Sequence, residues 1–210
     1  MAMKKLRASF YQRRNVVEIA RELLGKIIIT KWEGRITSGR IAETEAYAGK
    51  TDKASHAYGG RRAVRTEVMY APGGVSYVYL CYGIHHLFNI VTSVKDEPHA
   101  VLIRGIEPME GLTVMLNRTG KKEGDSTVGA GPGNLSRALG IQSIHSGIRL
   151  SGNEIYIADD GYVLTESSIW VTPRIGVDYA GADALLPYRF SLRNSKGVSK
   201  RNAFSSFKND

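Results

Sequence analysis

Segments with the character of β-strands make up most of this chain, and helical segments do not alternate with them regularly. Parallel strands need a long crossover between them, whereas antiparallel strands need only a short turn. The order of segments therefore predicts an α+β fold with a curved, mainly antiparallel sheet, surrounding helices and a protruding β-hairpin. We expect one domain over residues 1–210, with flexible ends at 1–10 and 201–210. The predicted strands span residues 27–32, 41–47, 76–82, 86–92, 100–103, 155–158, 168–171 and 188–193.

Three helices and one long loop complete the predicted architecture. Asn15 can cap a first helix, because its side chain can accept from the free backbone N–H groups at a helix start. Pro108 and Pro132 can begin the second and third helices, since proline is favoured at the first helical position. Residues 49–74 show no periodicity, and a loop of this length in a compact domain is usually functional or disordered.

The charge of the chain narrows the choice of partners. With 29 basic and 20 acidic residues, the net charge is +9, which attracts polyanions such as nucleic acid or an anionic membrane surface. No apolar run is long enough to span a bilayer, and the start does not resemble a signal peptide. The single cysteine, Cys81, excludes an internal disulfide and fits a reducing compartment. The histidines lack ligand spacing, so we expect no structural zinc site.

The stretch Glu-Thr-Glu-Ala-Tyr at 43–47 is the first candidate for chemistry. Alternate side chains of a strand share one face, so its two carboxylates and its ring should point the same way. Apolar neighbours would desolvate Glu45 and move its carboxyl pKa towards the range useful for a general base, while Tyr47 could hold a flat ring beside it. The alternative for Glu45 is a solvated or salt-bridged carboxylate. We interpret Glu43 as structural.

Tyrosines are dense after the long loop, at positions 77, 79 and 82. Core packing accounts for Tyr77, but aromatic rings on a basic protein can also stack nucleobases, each contact contributing ~1–3 kcal/mol. Tyr82 precedes Gly83 at the tip of the predicted hairpin, where burial is hard to arrange. A large side chain there is a candidate wedge that fills the space left by a flipped base.

The remaining candidates allow two interpretations each. His56 in the long loop and Asn89 on a predicted strand have common structural roles as well as functional ones. Arg104 is flanked by apolar residues, so it needs a partner, which a carboxylate or a phosphate would supply. Several basic residues suit phosphate contacts or are exposed solubilising charges: Arg61, Arg62, Arg65, Arg189, Arg193, Lys196 and Lys200.

Taken together, these segments resemble the alkyladenine DNA glycosylase family, the methylpurine type of 3-methyladenine DNA glycosylase. The resemblance covers nearly the whole chain, from about residue 6 to residue 200, and the motifs follow the family's order. They are Glu-Thr-Glu-Ala-Tyr at 43–47 with His56 at its spacing, the tyrosines from 77 to 83 with Asn89, Val-Leu-Ile-Arg at 101–104 with Glu107-Pro108, Gly-Pro-Gly-Asn-Leu at 131–135, Arg-Ile-Gly at 174–176 and Pro-Tyr-Arg-Phe at 187–190.

The resemblance implies three catalytic residues. Glu45 matches the family's general base, which activates the water that attacks the sugar. Arg104 matches a residue that helps to hold that water and the adjacent phosphate, and Val198 matches a position whose backbone contacts the water. This chain departs from animal members just before Val198, where Lys196-Gly197 replaces a more apolar pair.

The resemblance also implies the residues that bind the base and the DNA. Asn89 matches a residue that crowds the guanine amino group, and Tyr82 matches the intercalating wedge. Ile84, His85 and His86 follow that wedge here, in a part of the chain where the family varies. Three further matches enclose the flipped base: Tyr47, His56 and Tyr79. Three more fall in the loop that resembles the family's DNA-contacting loop: Arg61, Arg65 and Met69.

The implied activity is that of a monofunctional DNA glycosylase, which flips damaged purines such as 3-methyladenine and hypoxanthine out of duplex DNA and hydrolyses the N-glycosidic bond. We expect no lyase step, no metal or other cofactor, no membrane partner and a monomer. Its location would be the bacterial cytoplasm and nucleoid, or the nucleus of a eukaryote. Two alternatives remain open: a non-enzymatic nucleic-acid-binding module with an aromatic stacking surface, and a hydrolase of small nucleosides.

Overall fold

One nine-stranded sheet organises residues 3–199, the part of the chain that the computed structural model describes. The strands are β1 (Lys4–Lys5), β2 (Ile27–Trp32), β3 (Arg35–Tyr47), β4 (Val75–Cys81), β5 (His85–Thr92), β6 (His99–Pro108), β7 (Ile155–Asp159), β8 (Ile169–Thr172) and β9 (Arg189–Leu192). Their order in the sheet is β1-β7-β2-β3-β6-β5-β4, and β9 pairs with both β3 and β8. Every pairing between these strands is antiparallel, and the sheet is curled, which confirms the predicted α+β fold.

Within residues 3–199, four α-helices lie against or beside the sheet: α1 (Ala8–Tyr11), α2 (Val16–Glu22), α3 (Leu112–Thr119) and α4 (Pro132–Leu139). Asn15 caps α2 as predicted, because its Oδ1 accepts from two backbone N–H groups of the first turn. Pro108 was expected to begin a helix but is the last residue of β6, where a missing N–H is tolerated. The helix α3 begins instead after Gly111, whose φ of +77° suits glycine.

The main core lies between the sheet and the helices α2 and α4. Ile19, Phe88, Ile103 and Leu135 are fully buried in it. Residues 100–106 of β6 are all buried, because the strand is covered on both faces. A charged side chain on β6 must therefore find its partner inside the protein.

The N-terminal arm was expected to be flexible over residues 1–10, but its described part, from residue 3, is attached to the sheet. Lys4 and Lys5 pair with β7, and the Leu6 N–H donates to the Ile157 oxygen at 2.9 Å. Leu6 also packs against the main core, so both its backbone and its side chain have partners. Residues 201–210, the other predicted flexible end, lie outside the described residues, as does Lys200.

The long loop between β3 and β4 contains three short 3-10 helices, at Gly49–Thr51, Tyr58–Gly60 and Glu67–Tyr70. Its inward side chains form a second apolar cluster against β4, so the loop is packed onto the sheet. The predicted hairpin is formed by β4 and β5, and the Ile84 N–H closes its tip by donating to the Cys81 oxygen at 3.2 Å. Within residues 3–199, no helix has the length and apolarity needed to cross a membrane.

Candidate active site

A cleft of about 660 Å³ opens where the long loop, the hairpin, β6 and the start of α4 meet. Residues far apart in the sequence converge there. Three predicted site residues do not line it: Glu45 and Val198 lie behind its wall, and Arg61 lies outside it. The predicted residues that do line the cleft are Tyr47, His56, Arg65, Met69, Tyr79, Tyr82, Asn89 and Arg104.

Glu45 on β3 is fully buried, immediately behind Tyr47 and Arg104 of the cleft wall. Its Oε2 accepts from the Tyr47 hydroxyl at 2.8 Å and from Arg104 Nη1 at 3.2 Å. Its Oε1 accepts from the backbone N–H of Ile175 at 2.8 Å. A carboxylate offers about four lone-pair positions, so one remains to accept a further proton. Glu45 is therefore paired with Arg104 and is not solvated. This salt bridge is compatible with a role in chemistry, because one lone-pair position of the carboxylate stays available.

Glu43, two residues earlier, is also fully buried and accepts four hydrogen bonds. Its Oε1 accepts from Arg104 Nε at 3.1 Å, from Arg189 Nε at 2.6 Å and from the Ser199 hydroxyl at 3.1 Å. Its Oε2 accepts from the Ser199 N–H at 2.9 Å. Burial raises the pKa of Glu43, but Arg104 and Arg189 outweigh that effect and hold the pKa below its ordinary value. These contacts support the interpretation of Glu43 as a structural residue.

Arg189 corrects an expectation from the sequence. The alternation of residues 188–193 indicated a basic outer face, with Arg189 available to phosphate. In the structure Arg189 is buried and bound to Glu43, because β9 pairs with the buried stretch of β3. Its charge therefore compensates an internal carboxylate and is not available to DNA.

Arg104 lies between the two carboxylates and is itself almost fully buried. The sequence required a partner for it, and the structure supplies two. Burial alone would lower the pKa of Arg104, but Glu45 and Glu43 raise it above the ordinary value, so the guanidinium stays charged. Together with Arg189, the cluster contains two carboxylates and two guanidinium groups.

The segment around Val198 reaches the site through a close backbone contact that the sequence did not reveal. Val198 packs against the main core, and its neighbour Ser199 lines the cleft. A Cβ on Gly105 would collide with the Gly197 oxygen, and one on Gly197 would lie 2.5 Å from the Ile106 oxygen. Only glycine at both positions lets the segment approach β6 closely enough for Ser199 to bind Glu43.

Another part of the cleft wall is built from His56, Tyr77, Tyr79 and Asn89. His56 Nδ1 and the Tyr77 hydroxyl share a hydrogen bond of 2.8 Å, and the His56 and Tyr79 rings meet edge to face at 4.6 Å. The Asn89 Nδ2 donates to the backbone carbonyl oxygen of Tyr77 at 3.2 Å, which fixes the Asn89 side chain. Burial, then Arg65 and Arg61, lower the pKa of His56 to about 4, so its ring is neutral at neutral pH.

Tyr47 is held in place by Arg174, a residue whose role the sequence did not reveal. The Arg174 guanidinium lies 4.9 Å from the centre of the Tyr47 ring and donates to Asp52 Oδ1 at 2.9 Å. Burial, followed by Glu45, raises the pKa of Tyr47 well above its ordinary value. The sequence signal for Arg174 was the Arg-Ile-Gly motif at 174–176. The second residue of this motif, Ile175, donates its backbone N–H to Glu45.

Tyr82 stands at the hairpin tip with 91% of its surface exposed. Its φ of +50° lies in the left-handed region, which is costly for a bulky residue and is found most often at functional sites. Arg61 and Arg65 are exposed near the cleft, and the Arg65 guanidinium lies 5.9 Å from the Tyr79 ring centre. Arg62 is instead paired with Glu67 and Asp96.

Met69 corrects a second expectation. It was grouped with Arg61 and Arg65 as a DNA-contacting residue, but its side chain is buried beside Tyr70 and Tyr77. The last turn of the long loop points inward here, because its apolar side chains pack on β4. Met69 lines the cleft, and its buried side chain is not exposed for contact with a DNA backbone.

Comparison with known proteins gives a consistent result. The chain matches the model of the Methylpurine-DNA glycosylase family over residues 9–196. A relative from Desulfitobacterium hafniense (strain Y51) is 44% identical over 204 residues, which cover 94% of this chain and 99% of the relative. One from Clostridium perfringens is 42% identical over 205 residues, covering 94% and 100%. One from Chlamydia abortus is 44% identical over 185 residues, covering 88% and 96%. All three are provisionally named 3-methyladenine DNA glycosylase.

Proposed function

Because this chain belongs to the methylpurine-DNA glycosylase family and is a DNA N-glycosylase of base excision repair, we propose a specific reaction for it. It acts as a monomer that flips damaged purines, including 3-methyladenine and hypoxanthine, out of duplex DNA and hydrolyses their N-glycosidic bond. The observation that carries this proposal is the buried carboxylate of Glu45 directly behind a cleft walled by aromatic rings. A cleft of about 660 Å³ is of the size that binds small molecules, for which ~300–1,000 Å³ is typical.

In the proposed reaction the bond between the sugar carbon and the base nitrogen breaks, and its electron pair leaves with the base. The sugar gains oxocarbenium character, which the Glu45 carboxylate stabilises. A water oxygen then bonds to the sugar carbon while Glu45 accepts the water's proton at its remaining lone pair. Arg104 keeps Glu45 oriented and its charge partly balanced. Val198, beside the Ser199 that lines the cleft, is proposed to contact the water through its backbone.

The cleft walls support recognition of a flat, damaged base. Tyr47, His56 and Tyr79 are proposed to enclose the base, and each is held by a described contact. Asn89 is fixed in the cleft wall, where it is proposed to crowd the exocyclic amino group of guanine. A neutral His56 adds no charge that would repel a cationic alkylated purine.

The exposed Tyr82 is proposed to be the wedge that enters the duplex. Extrusion of a nucleotide costs roughly a few kcal/mol, and damaged or mispaired bases cost least. An aromatic ring that replaces the lost stacking offsets part of that cost. Arg61 and Arg65, both exposed, are proposed to contact the nearby phosphates. No lysine lines the described part of the cleft, so we expect hydrolysis to an abasic site without strand cleavage.

The test is Glu45→Gln, measured by single-turnover release of hypoxanthine from duplex DNA and, in parallel, by binding to the same duplex. We expect binding to persist and release to fall by about 10²–10⁴-fold, the usual contribution of a general base. The matched control is Glu22→Gln, at an exposed ion pair with Arg13. Normal turnover by Glu45→Gln would remove Glu45 from this role.

The same assay separates the two other functions. A non-enzymatic binding module predicts that the wild-type protein binds duplex DNA and releases no base from any lesion at low salt. A hydrolase of small nucleosides predicts release from free nucleosides in preference to duplex DNA. The net charge of +9 favours the polyanionic substrate over both a free nucleoside and a neutral ligand.

A further inference from the structure

A second groove, of about 670 Å³, lies on the β5 side of the hairpin and is not used by the proposed reaction. His85 and Gly133 line both cavities, so the groove is continuous with the active cleft. Ile84, at the hairpin tip, stands exposed on the groove side. The groove therefore begins where the proposed wedge ends, within the run of residues 84–86 that departs from the family.

Two histidines of the groove have tautomers that the backbone determines. His86 Nδ1 lies 3.1 Å from the Ser143 N–H, and His145 Nδ1 lies 3.0 Å from the Gln142 N–H. A backbone N–H can only donate, so each Nδ1 must accept, and the ring proton resides on Nε2. The His145 ring is further fixed by stacking on Trp32 at 4.0 Å. Both rings thus offer an Nε2–H donor.

Cations complete the lining of the groove. Arg137 on α4 is exposed and makes no ion pair with any residue in 3–199. Arg118 is half-buried and donates only to neutral oxygens, those of Ala138 at 3.1 Å and of Thr37 Oγ1 at 3.3 Å. Lys31 is also exposed here. Against these three cations stand two carboxylates in the lining, Glu33 and Glu154.

This chemistry favours an anion over a metal. Among residues 3–199, no three His, Cys, Asp or Glu side chains are grouped as metal ligands would be. Imidazole N–H and guanidinium groups are all donors, and phosphate oxygens are all acceptors. Phosphodiesters take most of the hydrogen bonds in protein–DNA contacts.

We propose that this groove binds the phosphodiester backbone of the duplex that continues past the hairpin. The inference rests on the proposed function, because it takes Tyr82 as the point where the protein enters the DNA. A strand that leaves the cleft at His85 meets His86, His145 and Arg137 next. The groove extends the DNA track and takes no part in the chemistry.

The test is Arg137→Gln, with Arg14→Gln as the matched control. Both arginines are exposed and both changes remove one positive charge, but Arg14 lines neither cavity. Binding to undamaged duplex DNA is measured as a function of salt concentration. Each phosphate neutralised contributes about 0.9 to the slope of log K against log salt. We expect Arg137→Gln to reduce the slope by about 0.9, and Arg14→Gln to leave it unchanged.

A second measurement separates this proposal from the proposed function. The single-turnover rate at saturating lesion DNA should be the same for Arg137→Gln and wild type, because the groove does not touch the reacting atoms. An unchanged salt slope for Arg137→Gln, or an equal change for both variants, would overturn the groove proposal. Failure of the wild-type protein to release any base would overturn the proposed function, while the salt slopes would still test the groove.

Discussion

Replacing Glu43 by glutamine should strongly destabilise the fold. The carboxylate accepts from Arg104, Arg189 and twice from Ser199. Glutamine keeps one acceptor oxygen, but its amide group can only donate, so it faces donors that have lost their partner. Arg104 would then keep its ion pair with Glu45 and lose the one with Glu43, and Arg189 would lose its ion pair with Glu43.

Removal of one partner from a buried ion pair costs about 3–5 kcal/mol, because the other charge stays buried without compensation. We expect a loss of that size in the free energy of unfolding of Glu43→Gln at neutral pH. The pKa of Glu43 is held below its ordinary value, so its contribution is complete above the ordinary carboxyl pKa and is lost as pH falls through the lowered one. The difference between wild type and Glu43→Gln should therefore shrink in acid.

Urea unfolding, monitored by circular dichroism at several pH values, measures the free energy of unfolding of both proteins and its dependence on pH. The control is Glu22→Gln, whose pair with Arg13 is exposed on both sides and should lose less than about 1 kcal/mol. A loss for Glu43→Gln as small as that of the control would refute the argument. So would a difference from wild type that grows as the pH is lowered.

Three further predictions follow from single residues. Tyr82→Asn should leave the stability of the fold unchanged or slightly higher, because asparagine tolerates a φ of +50°. The same change should weaken binding to lesion-containing duplex DNA at least tenfold, and an unaltered affinity would exclude Tyr82 as the wedge. Gly197→Ala should lose about 1–3 kcal/mol of stability, since its Cβ would lie 2.5 Å from the Ile106 oxygen. Gly152→Ala should lose less, because its Cβ would lie 3.1 Å from the Arg149 oxygen. NMR titration should give His56 a midpoint near pH 4, and a midpoint near its ordinary value would contradict the burial described.

Local features of the sequence predicted the elements of the fold well. The cap at Asn15 and the turn at Tyr82–Gly83 depend on neighbouring residues, so the pattern carries the information. Pro108 did not follow its local preference, because pairing with Gly39 on β3 keeps it in a strand. Residues 4–5 also gained structure only from pairing with β7, which is distant in sequence.

For the site, the sequence was better at indicating candidate side chains than at indicating the partners that each one contacts. The need of Arg104 for an anionic partner, a carboxylate or a phosphate, followed from its apolar neighbours. The partners of Glu43 did not, because Arg189 and Ser199 are far away in the sequence and reach it only through β9 and the Gly105–Gly197 contact. Met69 was misjudged for a related reason, since an irregular loop gives no periodicity from which to tell its inner side.

The pairing of Glu43 and Glu45 with Arg104 and Arg189 has a consequence for how DNA approaches. An isolated carboxylate behind a nucleic-acid cleft would repel the phosphates on either side of a bound nucleotide. Here two negative and two positive charges lie within one hydrogen-bonded cluster, so their long-range fields largely cancel. An arriving duplex is therefore attracted by the surface charge of the whole chain, and the negative charge of Glu45 acts only on groups at contact distance.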